Sequence, residues 1–364
     1  MKRLRAILIF LIFCSASNGQ DLKHFADSIL LADNIPAIDY AVFKSDTVFE
    51  MDAVGLNRID RKERVNLNSR FHLGSNSKAI TAFIAAKLVE EGKLKWETLF
   101  FELYPELATG ADTSYLKITL ADLLSHRARI KPFTAGEEFL ELKLTGDQEA
   151  QKMQFAKFLL HHEPQKFKKD EAYIYSNAGY ALAAMMLERA TGKSYKNLVN
   201  EIMNEQLKLN VQFGWPNIPD ATQPSGHIGK SWGQEAMKPL TDSTDYKLNT
   251  LIIPAGDLNM TLPDYTKFIQ LILKGIKGEN NFLRSETYEH LLFGLPEYAF
   301  GWGNGLKEKK YFASHDGSAG TFYCHTLILK KSDLAIIVVS NSAEENTVKG
   351  IYALRNLILK KYKK

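Results

Sequence analysis

The stretch "FHLGSNSKAITAFIAAKLVEEG", residues 71 to 92, constrains this chain more than any other. From Lys78 to Glu91 its helical pattern is apolar nearly all round, and Gly92 supplies a C-cap. A helix without a polar face is usually buried, so other elements must enclose it. A serine stands three places ahead of a lysine at its mouth. If the helix begins near Ser75, Ser75 and Lys78 share a face, with Cβ atoms roughly 5–6 Å apart. Unpaired N–H groups and the positive dipole end favour developing negative charge there. A lysine desolvated by such a helix has a lowered pKa and can act as a neutral base towards the hydroxyl. The competing reading of Ser75 is a plain helix cap, a common use of serine.

Composition narrows the classes. The 364 residues are 45% hydrophobic and 24% charged, an ordinary globular balance. Residues 1–19 are set apart as a signal peptide: Lys2, Arg3 and Arg5 precede the apolar run Ala6 to Cys14, then small and polar residues follow. The run is about half of the roughly 20 residues a spanning helix needs. Cleavage is expected after Gly19 or near Ala16, giving an exported, periplasmic or extracellular protein. A lipid anchor on Cys14 is disfavoured by bulky Ile12 and Phe13 before it. Removing this segment takes away three basic residues and no acidic one, so about +1 remains of the formal +4. No nucleic-acid or membrane-surface partner follows from that charge. Only Cys324 then remains, which excludes an internal disulfide and CxxC chemistry.

Along the chain, 21–34 has helical spacing, and "IPAIDYAVF" with "DTVFEMDAVG" reads as two strands about a polar turn at Lys44 to Asp46. The middle, about 97–250, looks helical, with apolar spacing in "ITLADLLSHRARI", "MQFAKFLLHHE", "NAGYALAAMMLERATG" and "SYKNLVNEIMNEQL". The polar segment 214–245 is long and punctuated by Gly and Pro, a type often found near binding sites. Short β-type runs, "YAFGWG", "KKYFAS", "TFYCHTLILK" and "DLAIIVVSNS", precede a last helix. The expected class is α+β: one antiparallel sheet built from both chain ends, a helical lobe inserted between, and a cleft where they meet.

Three short motifs each occur twice. Ser75/Lys78 competes with Ser114/Lys117, Tyr175/Asn177 with Tyr195/Asn197, and His315/Gly317 with His227/Gly229. Lys117 is expected in solvent, Tyr195 on a solvated helix start, and His227 in a polar loop with no strand after it. Tyr175 and Asn177 lie on a loop entering an apolar helix, suited to passing a proton and holding a carbonyl, or to packing and capping. Gly317 permits close backbone approach, and the Ser318 N–H could join that of Ser75 as an oxyanion donor. His315 alone also fits a structural histidine.

Their order and spacing, with "ITLADLLSH", "YSNAGYALAAMMLERATGKSY", "IIPAGDLNMT" followed by Asp264, and "FGWG", resemble the serine β-lactamase-related superfamily in its class C β-lactamase, DD-peptidase and esterase branch. The resemblance covers about residues 35 to 345 and implies a β-lactamase/transpeptidase-like fold within one hydrolase domain, 20–364. It implies acyl transfer: Ser75 attacks a carbonyl, Lys78 and Tyr175 move protons, and Asn177 positions substrate. His315 supports Tyr175 and substrate, and the Ser75 and Ser318 N–H groups hold the oxyanion. Neither a metal nor another cofactor is implied. The substrate would be a small molecule or peptide, and nothing fixes an oligomeric state. Two departures bear on it. His-Asp-Gly stands where β-lactamases carry Lys-Thr-Gly or Lys-Ser-Gly, so Asp316 would repel a carboxylate if it points inward. "HRAR" replaces "HTSG", adding Arg127 and Arg129, which could offset Asp316 but are read as solvated. The expectation is an ester or amide hydrolase before a DD-peptidase or β-lactamase, with a non-catalytic binding protein as rival. "HHE" (His161 to Glu163) lacks spaced partners for a metal site, and "GWGNG" lacks the strand and helix of a dinucleotide loop.

Overall fold

The computed structural model describes residues 21–241, 246 and 248–363; the expected signal peptide, with Cys14, lies outside the described residues. Helix α1 (Leu22–Asp33) starts at Asp21, whose carboxylate accepts the Lys23 N–H, and stops at Asn34 in the left-handed region. Strands β1 (Ala37–Phe43) and β2 (Val48–Gly55) then pair as an antiparallel hairpin. The chain's other end supplies their neighbours. Strand β1 pairs antiparallel with the last strand, Ile38 opposite Ser340 and Val42 opposite Ile336. With β3 (Arg70–His72), β4 (Leu258–Thr261), β5 (Phe312–Ser318), β6 (Tyr323–Leu329) and β7 (Leu334–Ser340) numbered in chain order, the main sheet runs β2-β1-β7-β6-β5. The two-residue strand Gly303–Asn304 closes its edge. The expected α+β sheet from both termini is what forms.

Side-chain alternation divides the sheet into two buried faces. Ala37, Ala41 and Phe43 join the large core made with α2 (Ser77–Glu90), α3 (Asn177–Thr191) and α4 (Leu262–Ile276). Ile38, Tyr40 and Val42 join a smaller core under α1 and the final helix α5 (Glu345–Tyr362). Every residue of α2 from Ser77 to Ala86 is buried, as its pattern requires. Its one mid-helix hydroxyl, Thr81, donates to Pro254 O at 2.6 Å, so the Tyr195 O–H at 2.6 Å is the donor to Thr81. Tyr195 is therefore buried against α2, contrary to the solvated position expected for it.

Other local readings also change. Only Leu120–Leu124 of "ITLADLLSHRARI" is helical, because His126 and Arg129 take left-handed φ of 62° and 57° and break the run. His227 lies on a short strand and is fully buried, Nδ1 donating to Asn341 O and Nε2 accepting the Ile59 N–H. It is a structural histidine.

Asp39 breaks the apolar pattern of β1. It shares the face of Ala37 and Ala41, is fully buried, and neither oxygen has a hydrogen-bond partner among the described residues. Burial, then the Asp52 charge, raise its pKa well above the ordinary 3.8. The folded protein thus keeps a proton that the unfolded chain releases above about pH 4, and stability is lost as pH rises towards the raised folded value. Asp39→Asn removes this term. In urea unfolding at about pH 5 and 8, the wild-type midpoint should fall with pH relative to that of Asp39→Asn; parallel midpoints would contradict the assignment.

Candidate active site

The site forms where three pieces of chain converge on the mouth of α2. The first is the turn Gly74–Asn76, which joins β3 to the helix. His72 on β3 is completely buried; Nδ1 accepts the Gly74 N–H at 3.1 Å, so Nε2 carries the proton and donates to Asp257 at 3.0 Å. Trp215 packs on the ring, with centroids 4.6 Å apart. The turn is thus held from below. Ser75 does not cap the helix: Asn76 precedes it, and its amide donates to Cys324 O. The Ser75 Oγ instead lies 3.2 Å from Lys78 Nζ.

Lys78 is fully buried, and burial holds its pKa well below the ordinary 10.5. Nζ also lies 2.7 Å from Asn177 Oδ1 and 2.8 Å from Ala255 O. Neither of those oxygens can donate, so a neutral amine spends its two N–H bonds on them. Its lone pair is then left for the Ser75 O–H. The geometry and the desolvation agree on a neutral base.

The second piece is the loop 173–177. Ser176 caps α3 through Gly179 N and donates to Lys131 O, leaving Asn177 free of capping. Asn177 N donates to Pro132 O and Nδ2 to Phe133 O, which turns Oδ1 to Lys78. His126 secures the loop twice: its carbonyl accepts the Ile174 N–H and its Nδ1 accepts the Ser176 N–H. The Tyr175 ring lies over Lys78, with Nζ 4.6 Å from its centroid. Burial raises the Tyr175 pKa, opposed by its hydrogen bond to Ser75. Burial thus keeps Lys78 and Tyr175 both uncharged, the phenol as a proton donor.

The third piece is β5. An ideal Cβ on Gly317 would lie 1.9 Å from Leu73 O and 2.9 Å from Ser75 N, so only glycine lets the strand approach the turn this closely. Gly74, with φ 51°, makes the reciprocal approach: a Cβ there would lie 2.5 Å from Ser318 N. The Ser75 and Ser318 amides are thereby brought side by side. His315 faces the same space, its ring centroid 6.3 Å from that of Tyr175. Asp316 does not. Alternation turns it to the opposite face, where its carboxylate accepts from His325 Nδ1 at 2.7 Å and from the Tyr352 O–H of α5 at 2.8 Å. Burial opposes the charge, but these bonds hold its pKa below the ordinary value.

All seven expected residues therefore meet, while Lys117 lies exposed far along the chain and Tyr195 and His227 are tied up in the core. The described part of the polar segment, 214–241, reaches the end of β5, where the Trp232 indole donates to Gly320 O; Tyr246 donates to Ala319 O. Sequence reasoning missed four contributors. The Ala255 carbonyl carries no side-chain signal, and His72 is hidden inside a stretch read for its serine and lysine. His126 lay in view in "SHRAR", and Tyr298 in "YAFGWG". Arg127 is the clearest correction: it is half-buried and donates to Ser125 O, Tyr298 O and Pro296 O.

A match to the family described as Beta-lactamase runs over residues 22–358. The chain belongs to this family. Among curated relatives, Protein flp of Staphylococcus aureus (strain NCTC 8325 / PS 47) is 22% identical over 93% of this chain. The chain spans 66% of that protein's length. Unguisins hydrolase ungD of Aspergillus violaceofuscus is 21% identical over 89% of the chain and 61% of its own length. The octameric penicillin-binding protein homologue from Pyrococcus abyssi superposes with a TM-score of 0.70, at 20% identity, over 93% of this chain and 76% of that one. At that identity the likeness speaks for the fold. Family and fold together place the chain in the serine β-lactamase-related superfamily.

A neutral buried lysine has a measurable signature. Ser75 should react with a fluorophosphonate at a rate that falls as pH drops through the lowered Lys78 pKa and is already level well below the ordinary lysine value of 10.5. A rate still climbing at that value would exclude Lys78 as the base.

Proposed function

We propose that the protein is an exported serine hydrolase working through a Ser75 acyl-enzyme on an ester or amide. The observation that carries this reading is the fully buried Lys78 amine, held by Asn177 Oδ1 and Ala255 O beside the Ser75 hydroxyl. Lys78 takes the Ser75 proton as Oγ bonds to the substrate carbonyl carbon, and the adjacent Ser75 and Ser318 N–H groups stabilise the oxygen that becomes anionic. As the tetrahedral intermediate collapses, Tyr175 gives its proton to the leaving group and recovers one from Lys78. Water then attacks the acyl carbon with the same groups as base, releasing the acid and restoring Ser75. Asn177, fixed at both ends of its amide, positions substrate, and His315 lines the wall beside Tyr175. A cavity lined by Pro132, Gln165, Tyr173 and Glu297 opens next to Tyr175 and gives the leaving group room.

Export rests on the basic, apolar and small-residue pattern of residues 1–19, and the hydrolase domain is taken as 20–364, with a helical lobe over about 97–250. An ester or neutral amide ranks before a cell-wall peptide or β-lactam, because His315 replaces the lysine that would pair with a carboxylate.

Intact mass after exposure to a fluorophosphonate, and separately to benzylpenicillin, tests the reading. One adduct that disappears in Ser75→Ala is expected with the fluorophosphonate. No adduct in folded protein would reduce the site to a binding cleft, and a penicillin adduct would move the substrate class to cell-wall peptides.

A further inference from the structure

Position 315 is wired to residues that the proposed acyl transfer does not use. His315 is buried, and its Nδ1 lies 2.9 Å from Asp316 O. A backbone carbonyl cannot donate, so Nδ1 carries the proton. Nε2 lies 3.1 Å from the hydroxyl of Tyr298, itself buried. In a neutral ring Nε2 is an acceptor, and Tyr298 must be the donor. The neighbouring Tyr180 hydroxyl is committed to Leu124 O at 2.7 Å. Tyr298 is in turn held by Arg127, whose guanidinium donates to Tyr298 O at 2.8 Å and Pro296 O at 3.0 Å.

We propose that Tyr298, clamped by Arg127, locks His315 as an uncharged Nδ1–H imidazole, so that the site selects esters or amides whose leaving group carries no carboxylate. The inference rests on the Ser75 acyl-transfer reading and names its substrate class. Protonating Nε2 would set two N–H or O–H donors against each other unless the Tyr298 proton swung to the neighbouring Tyr180 oxygen. The groups around the ring lean the same way. The uncharged Lys78 amine lies across the site, Tyr175 faces the ring, His126 packs on Tyr298, and the Asp316 carboxylate is on the reverse face, bound to His325 and Tyr352. Burial lowers the His315 pKa to about 4. Tyr298 is a positioning residue here, and Asp316 is not the source of selectivity.

The test compares kcat/KM for phenyl acetate and 3-carboxyphenyl acetate at about pH 5.5 and 7.5, a range in which an unperturbed histidine titrates. The wild type should favour the uncharged ester at both. Tyr298→Phe frees Nε2, and at the lower pH the ratio should move towards the carboxylated ester on the order of tenfold, the size of one hydrogen bond to a charged group. Asp316→Asn should leave the ratio where it was. A Tyr298→Phe protein that takes up the fluorophosphonate at Ser75 yet keeps the wild-type ratio at both pH values overturns the inference alone. So does a shifted ratio in Asp316→Asn. A wild type that takes up no fluorophosphonate sinks the hydrolase reading and this inference with it. Should Tyr298→Phe fold poorly, ¹⁵N-imidazole spectra of the wild type decide, with His315 identified by its loss in His315→Gln. A neutral Nδ1–H ring across that pH range supports the lock, and an Nε2–H or doubly protonated ring overturns it.

Discussion

One desolvated amine organises the site. Lys78 sits inside a helix that has no exposed face, and an ammonium there would lack the water that normally stabilises it. Among the described residues no carboxylate, the usual partner of a buried lysine, compensates it. The chain offers two carbonyl oxygens, Asn177 Oδ1 and Ala255 O, which suit an uncharged amine. Each acceptor is fixed by something else. Asn177 is held through Pro132 and Phe133, and the segment before Ala255 is tied to α2 through Thr81 and Pro254. The apolar enclosure that makes α2 a core helix is thus also what holds an uncharged amine beside the Ser75 hydroxyl.

Much of this was legible in the sequence because it follows from periodicity. The all-apolar run after Lys78 required enclosure, and the strand patterns at the two ends required a common sheet. Site residues could be chosen among duplicates by context, since Ser75, Tyr175 and His315 stand beside buried elements and Lys117 does not. Where context was read from polarity alone it misled. Tyr195 looked solvated because lysine and asparagine flank it, yet its hydroxyl is one of the few partners able to satisfy Thr81. His227 looked like loop, yet two backbone groups claim both its nitrogens. Arg127 looked solvated because arginines usually are, but three carbonyls of folded loops need a donor there. Backbone acceptors have no letter in the sequence, and that is why Ala255 O went unseen.

The departures from the lysine-bearing third motif form a pair with opposite destinations. His315 and Asp316 are consecutive on an extended strand, so one must face the cleft and the other the reverse side. A change that reads in sequence as two altered site residues is, in space, one altered site residue and one fastening to Tyr352 of α5 and His325 of β6. The charge that could have excluded acidic substrates is spent on holding a helix.

The sheet joins β1 to β7, the first strand to the last, and this bears on how the protein comes into being. While the chain is being made, the β1–β2 hairpin has one edge satisfied and the other open, because its partner is among the last segments to appear. Contacts of such sequence separation are costly to close and slow to form, so the hairpin and the apolar α2 must wait with their surfaces uncovered. The same topology delays completion of the site. Gly317 and Ser318 reach the Ser75 turn only once β5 is in the sheet, and β5 is bound there through β6 and β7. An unfinished chain can carry Ser75 and Lys78 but cannot set the Ser75 and Ser318 amides side by side, so topology alone withholds the assembled site from nascent and truncated forms.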